Sequence, residues 1–309
     1  MKIAIAGAGA MGSRFGYMLK KSGNTVIFID EWKEHVDQIN SKGLLVETEN
    51  NQEYCKIPAY LPEQANGSFD LVILFTKAMQ LNAMLKKMNH LLTSETAILC
   101  LANGLGNIET IEKYSGDCPL YVGVTLWSSE LIGTGHIKIT GSGTIEFQPV
   151  NQADEVKTSL ISDMLNQAGL NSELSPDVIL SIWKKASFNS VLNTYCAILN
   201  CNVGQFGSSS KAISLARQVI QEFVLVANKK GILLTEDLVL NIVKKVFDPK
   251  ESGDHYPSMH QDLAKGRKTE IDYLNGAVAK LGAELKIATP TNQLLTNLIH
   301  AMEDIQGID

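Results

Sequence analysis

The stretch Lys2-Ile3-Ala4-Ile5-Ala6-Gly7-Ala8-Gly9-Ala10-Met11-Gly12 decides the fold class. An apolar run suited to a buried strand passes directly into Gly-x-Gly-x-x-Gly, and the apolar spacing from Met11 to about Ser22 predicts a helix. Strand, glycine turn and helix in that order open a dinucleotide-binding βαβ unit. Gly7 permits the tight turn, Gly9 admits a pyrophosphate close to the backbone, and Gly12 lets helix and strand pack closely. Ala10 and Met11 complete the turn, where free N–H groups and the positive end of the helix dipole suit phosphate. The next apolar run, Thr25 to Asp30, ends on a carboxylate placed to accept hydrogen bonds from the adenine ribose hydroxyls. Glu31 adds a second negative charge, and a 2′-phosphate would meet repulsion there with no Arg fork to receive it. The expected cofactor is therefore NAD(H), preferred over NADP(H), with Lys33 as the residue that speaks the other way.

Outward from this unit the pattern repeats. A second helix is expected from about Glu34 to Asn40, and the runs Leu71 to Lys77, Ala97 to Gly104 and Leu120 to Trp127 are nearly all apolar, as strands covered on both faces should be. The glycines and alternating Ile and Thr between Gly133 and Phe147 predict a hairpin or edge strands finishing the sheet. At Ser175-Pro176 the character changes, because an N-cap residue followed by Pro at the first helical position opens helical patterns that continue to the C-terminus. The fold class expected is an α/β Rossmann-type parallel-sheet domain over residues 1–172, followed by an all-helical C-terminal domain over 173–309.

Composition bounds the function. The chain has 309 residues, enough for two cores, and with 45% hydrophobic and 19% charged residues it is too apolar to be disordered. Its 27 basic and 33 acidic residues include no basic run able to track a phosphate backbone, so no nucleic-acid partner is expected. No apolar stretch has the length of a membrane span and the glycine-rich start does not fit a signal segment, so a cytoplasmic location without membrane association is expected. The five cysteines are odd in number and form no CxxC pair, and the six histidines show no ligand spacing, so neither disulfides nor a metal are expected.

In the second half, Lys185, Asn189 and Asn193 recur at i, i+4 and i+8 and stack along one face of the helix expected after Ser175, with Cys196 and Asn200 continuing the stripe. Apolar residues such as Trp183, Phe188, Val191 and Leu192 surround them, so the helix should be largely buried. Two readings fit the spacing equally: a proton-donating Lys185 with asparagine amides fixing a substrate, or a solvated lysine beside Lys184.

The strings Trp183-Lys-Lys-Ala-Ser-Phe-Asn189-Ser-Val-Leu-Asn193, Ser258-Met-His-Gln-Asp262 and Thr269-Glu270-Ile-Asp-Tyr-Leu-Asn275-Gly276 resemble the ketopantoate reductase family. The resemblance spans nearly the whole chain, taking in the opening glycine turn, Thr76-Lys77-Ala78-Met79-Gln80 and Asn103-Gly104-Leu105-Gly106. It implies that Lys185 is the general acid and base and that Glu270 supports its orientation and charge. It implies further that Asn103, Asn189, Asn193 and Ser258 hold or line the substrate site, and that Lys77, Gln80 and Asn103 lie on the cofactor side. Relatives that use NADP commonly carry Arg at the end of the second strand, where this chain has Asp30-Glu31. That departure points to the branch of NAD-linked dehydrogenases acting on D-2-hydroxy acids branched at C3, such as D-mandelate or branched-chain acids. The expected partner is thus a small 2-oxo or 2-hydroxy acid, and relatives are often homodimers. The alternatives are ketopantoate reduction to pantoate in pantothenate biosynthesis, and a non-catalytic regulator that senses NAD(H) and binds it without turnover.

Overall fold

The structure is a computed structural model that describes residues 1–151, 154–248 and 253–308. The chain divides into two compact units, one comprising 1–102 and 107–178, the other 103–106 and 179–309.

In the first unit, strands and helices alternate through β1 (Lys2–Ala6), α1 (Ala10–Lys21), β2 (Thr25–Ile29), α2 (Lys33–Lys42), β3 (Leu44–Glu47), β4 (Gln52–Cys55), β5 (Ala59–Tyr60), β6 (Leu71–Leu74), α3 (Ala78–Met88), β7 (Ala97–Cys100) and α4 (Asn107–Ser115). The unit continues with β8 (Leu120–Thr125), β9 (Ser129–Gly133), β10 (His136–Ile139), β11 (Ile145–Pro149), α5 (Glu155–Gln167) and β12 (Ser172–Leu174). Eight strands form the main sheet in the order β12-β11-β8-β7-β6-β1-β2-β5, parallel except where β11 runs against β8. Every residue of β6, β7 and β8 is buried, so their unbroken apolar runs report cover on both faces. Gly16 of α1 faces the Phe28 ring of β2, where an added Cβ would come within 2.5 Å of its Cζ, so this glycine brings helix and sheet together.

The region 133–147 does not simply extend this sheet. β9 and β10 form an antiparallel hairpin, and β10 pairs in parallel with β3 in a separate sheet of order β4-β3-β10-β9, whereas β11 alone joins the main sheet. The half-exposed alternation along β9 suits a sheet with one solvated face, and Arg14 supplies a tether that local patterning hides. Its buried guanidinium donates to the carbonyls of Ser128, Thr140 and Gly141 at 2.5, 2.7 and 2.9 Å and lies 4.1 Å from the Trp127 ring centre. Both ends of the hairpin are thereby held to α1.

The second unit is helical: α6 (Val178–Leu199, entering the unit at Ile179), α7 (Val203–Gly207), α8 (Ala212–Lys229), α9 (Glu236–Val246), α10 (Ser258–Ala264), α11 (Asn275–Leu285) and α12 (Pro290–Gln306). Val191 and Cys196 of α6 share a buried core with Phe223, Val243, Val278 and Ile299 from the other helices. A buried polar chain ties the same helices. Thr194 donates to Asn275 at 2.8 Å, Asn275 to Asn292 at 3.0 Å, and Asn292 to Glu222 at 2.7 Å. Glu222 also accepts the N–H groups of Thr291 and Asn292 at 2.8 and 2.9 Å, satisfying the otherwise orphaned donors at the start of α12. The polar stripe along α6 is shorter than its spacing suggests. The helix ends at Leu199, and Asn200 turns out of it into the left-handed region at φ 50°, exposed and bonded to His260.

Candidate functional site

In the first unit the glycine turn links β1 to α1, and its three glycines are required for different reasons. Gly7 has φ +93°, and an added Cβ would sit 2.5 Å from the Thr76 backbone nitrogen. At Gly12 the Gly7 carbonyl oxygen stands in the way of any Cβ. Gly9 differs, because a Cβ there would meet nothing within 4 Å. Crowding therefore explains Gly7 and Gly12, whereas Gly9 borders open space of the kind a pyrophosphate occupies against bare backbone. Ala10 and Met11, both half-buried, begin α1 directly behind the turn.

Asp30 follows β2 and closes on this turn. One carboxylate oxygen accepts the Ala8 N–H at 2.6 Å and the other the Trp32 N–H at 2.9 Å. Beside it, Glu31 pairs with Lys87 at 2.7 Å, and Lys33 pairs with Asp37 at 2.5 Å. The segment after β6 approaches Gly7 through Thr76, whose buried hydroxyl has no hydrogen-bond partner among the described residues. Lys77 is the N-cap of α3 and Gln80 lies exposed in its first turn, its N–H bonded to the Lys77 carbonyl at 2.9 Å.

In the second unit Lys185, Asn189 and Asn193 stand on α6 as their spacing requires. Lys185 keeps partial exposure as a whole residue, yet desolvation of its ammonium drives its pKa down to about 8, against the attraction of the Glu270 carboxylate, which raises it. Glu270 is half-buried and immediately precedes a single 3-10 turn, Ile271–Tyr273, so it is not a carboxylate on an exposed helix face. Asn193 is buried and donates to the Ser258 hydroxyl at 3.3 Å. Ser258 is the first residue of α10 rather than its N-cap, a position taken by Pro257. Asn103 belongs to this unit although it follows β7: Leu105 donates to the Tyr273 carbonyl at 2.8 Å, and Gly104, at φ +92°, lies so close to Tyr273 that a Cβ would come within 2.8 Å. Lys185 with Glu270, Asn193 with Ser258, and the Asn103 segment with Tyr273 are thus brought together.

Four features escape the sequence. The free Thr76 hydroxyl, the Arg14 tether, the Glu222 network and His35, whose ring reaches the Ala8 carbonyl at 2.8 Å, all depend on distant backbone. Thr76 had a signal, since it opens the Thr76–Gln80 segment singled out in the sequence after the apolar run that forms β6; the others had none. Among the described residues no cluster of His, Cys, Asp or Glu has the arrangement to hold a metal ion, and no helix is long and apolar enough to cross a membrane.

Comparisons with known proteins cover the whole of this geometry. The family model described as "Ketopantoate reductase PanE/ApbA" matches residues 3–152, and that of its C-terminal part matches 177–303. A 2-dehydropantoate 2-reductase of Streptococcus pyogenes serotype M3 is 39% identical over 310 aligned residues, covering 100% of both chains. Its counterpart in Pyrococcus abyssi is 30% identical, covering 99% of each. Among solved structures, a D-mandelate dehydrogenase in ternary complex with NADH and anilino(oxo)acetate aligns with TM-score 0.97 and 42% identity over 100% of both chains. A PanE/ApbA family ketopantoate reductase from Ralstonia eutropha JMP134 aligns with TM-score 0.90 and 30% identity, covering 99% of this chain and 100% of that one.

Proposed function

The chain belongs to the ketopantoate reductase family, and on that premise we propose that it transfers a hydride between NAD(H) and the C2 carbon of a small acid branched at C3, interconverting the 2-oxo and D-2-hydroxy forms. The observation that carries this reading is the acidic pair Asp30-Glu31 at the end of β2. Asp30 is fastened to the glycine turn, and the nearby lysines are engaged, Lys87 with Glu31 and Lys33 with Asp37. A ribose 2′-hydroxyl can donate to such a carboxylate, whereas a 2′-phosphate would meet like charge. The open space over Gly9 and the unpartnered Thr76 hydroxyl fit a dinucleotide, with Gly7, Gly9, Ala10, Met11, Gly12, Asp30, Lys77, Gln80 and Asn103 as the residues to hold it. When bound, the nicotinamide supplies or accepts the hydride.

Lys185 supplies the proton. Its ammonium gives a proton to the carbonyl oxygen of the 2-oxo acid during reduction, and the neutral amine takes one from the hydroxyl during oxidation. A pKa of about 8 suits both roles near neutrality, because neither protonation state is rare. Glu270 keeps the ammonium charged more than burial alone would allow. Asn103, Asn189, Asn193 and Ser258 bind the carboxylate and the oxygen at C2. Asn193 and Ser258 already share a hydrogen bond, so both are oriented before substrate arrives.

A second reading, reduction of ketopantoate to pantoate, is favoured by the full-length relatives named 2-dehydropantoate 2-reductase. Measuring kcat/KM for benzoylformate, 2-oxoisovalerate and ketopantoate, each with NADH and NADPH, separates the two. Preference for NADH with benzoylformate or 2-oxoisovalerate supports the dehydrogenase reading; preference for ketopantoate replaces it by the second. NADH binding without turnover on any 2-oxo acid would leave a nucleotide-sensing regulator.

A further inference from the structure

We propose that His35 is a positioning residue for the dinucleotide turn, holding the Ala8–Gly9 peptide so that its N–H is directed at the incoming phosphate. The inference rests on the nucleotide reading of that turn. His35 lies on α2 with 1% of its surface exposed, its ring stacked 5.2 Å from that of Trp32. Its Nδ1 accepts the Gly135 N–H at 3.0 Å, so that nitrogen must present a lone pair. The ring proton of the neutral imidazole is therefore on Nε2, which stands 2.8 Å from the Ala8 carbonyl oxygen and donates to it. Burial favours this neutral form, lowering the pKa against the opposing pull of Asp30.

Ala8 is held on every polar side. Its N–H goes to Asp30 at 2.6 Å, and its carbonyl oxygen takes the Ser13 hydroxyl at 2.6 Å as well as His35. A trans peptide keeps its C=O and the following N–H antiparallel, so fixing the Ala8 oxygen fixes the direction of the Gly9 N–H. Among the described residues no protein acceptor takes that N–H, which leaves it available to an anion. His35 also reaches the turn between β9 and β10 through Gly135, at φ +64°, and so references the glycine turn to the second sheet.

Two measurements test this. Nitrogen-15 NMR of the wild-type imidazoles should show His35 as the Nε2–H tautomer, with and without NADH; an Nδ1–H tautomer overturns the proposal without any variant. The second is NADH affinity by fluorescence titration, alongside steady-state kinetics. His35→Phe keeps a ring but gives Ala8 no donor, and the NADH Kd and KM should rise about tenfold, with a smaller change in kcat at saturating NADH. His35→Gln, which restores an N–H toward Ala8, should recover most of the affinity. A folded His35→Phe protein with wild-type NADH Kd overturns the role of His35 while leaving the cofactor reading intact. A wild-type protein that does not bind NADH overturns both. Where His35→Phe does not fold, the tautomer and the Kd of His35→Gln decide, and a Kd for His35→Gln raised tenfold or more counts against the proposal.

Discussion

Replacing Glu270 by Gln should shift the ionisation of Lys185 and with it the pH dependence of the rate in each direction. The distance between the ordinary lysine value of 10.5 and about 8 corresponds to about 3 kcal/mol in favour of the neutral amine. Desolvation drives that preference and Glu270 resists it. Gln preserves the shape and removes the charge, and a close opposite charge is worth about one pKa unit or more, so the amine of the variant should titrate near or below about 7. With Lys185 as the proposed proton donor, reduction needs the ammonium, so the alkaline limb of kcat/KM should move from about 8 to about 7. At about pH 8 the protonated fraction then falls from one half to about one tenth, a loss of about fivefold in the reductive rate. Oxidation needs the free amine and should begin to rise at correspondingly lower pH. Initial rates of NADH consumption and formation, followed by absorbance from about pH 6 to about pH 10, read both limbs. An alkaline limb for Glu270→Gln that coincides with the wild type, or lies above it, refutes the coupling. The linkage has a stability counterpart of fixed sign. The unfolded chain binds more protons than the folded one between about 8 and 10.5, so Lys185 makes the protein more stable as pH rises through that window.

Three further outcomes follow from the geometry. Gly9→Ala should leave the thermal midpoint unchanged and weaken NADH binding, while Gly12→Ala should cost about 3 kcal/mol or more, because its Cβ would collide with the Gly7 carbonyl oxygen; equal midpoints for the two variants would contradict the distinction. Glu222→Ala strips the start of α12 of its acceptor, leaving the Thr291 and Asn292 backbone N–H groups without a partner and removing the shorter of the two bonds that the Asn292 amide donates, so chemical denaturation should show a loss of about 3 kcal/mol. His300 lies between Asp272 at 2.9 Å and Glu303 at 3.0 Å; partial burial lowers its pKa, the two carboxylates raise it more, and the net value is raised. A group raised in the folded state contributes fully below its unfolded value and loses that contribution as pH climbs through the folded one. The wild type should therefore lose stability relative to His300→Ala on going above about pH 6.5, and parallel stability profiles for the two would count against this.

The alternation of apolar runs with helical periods was enough to read the parallel sheet, the glycine turn and the helical second half, because each is a short-range consequence of side-chain spacing. Lys185, Asn189 and Asn193 were legible as a stripe for the same reason, although their spacing alone allowed a solvated lysine equally well. Only the folded chain shows that Lys185 is not a fully solvated lysine, since its lowered pKa comes from burial, opposed by a carboxylate that enters from a segment far along the chain. The hairpin of β9 and β10 was misplaced because sheet membership depends on Arg14 and β3, not on local alternation. Asn200 was misread because periodicity carries no mark of where a helix stops. Asn103 joins the helical unit with the segment 103–106, whose Gly104 and Leu105 meet Tyr273, although its position after an apolar strand placed it with the sheet. His35 had no signature at all. A buried histidine acquires a role only from the atoms its two nitrogens meet, and Ala8 and Gly135 become its neighbours only in three dimensions. Spacing along the chain thus determined which elements form and which chemical groups they carry, while hydrogen-bond partners and desolvation, which act through space between distant segments, decided what those groups can do.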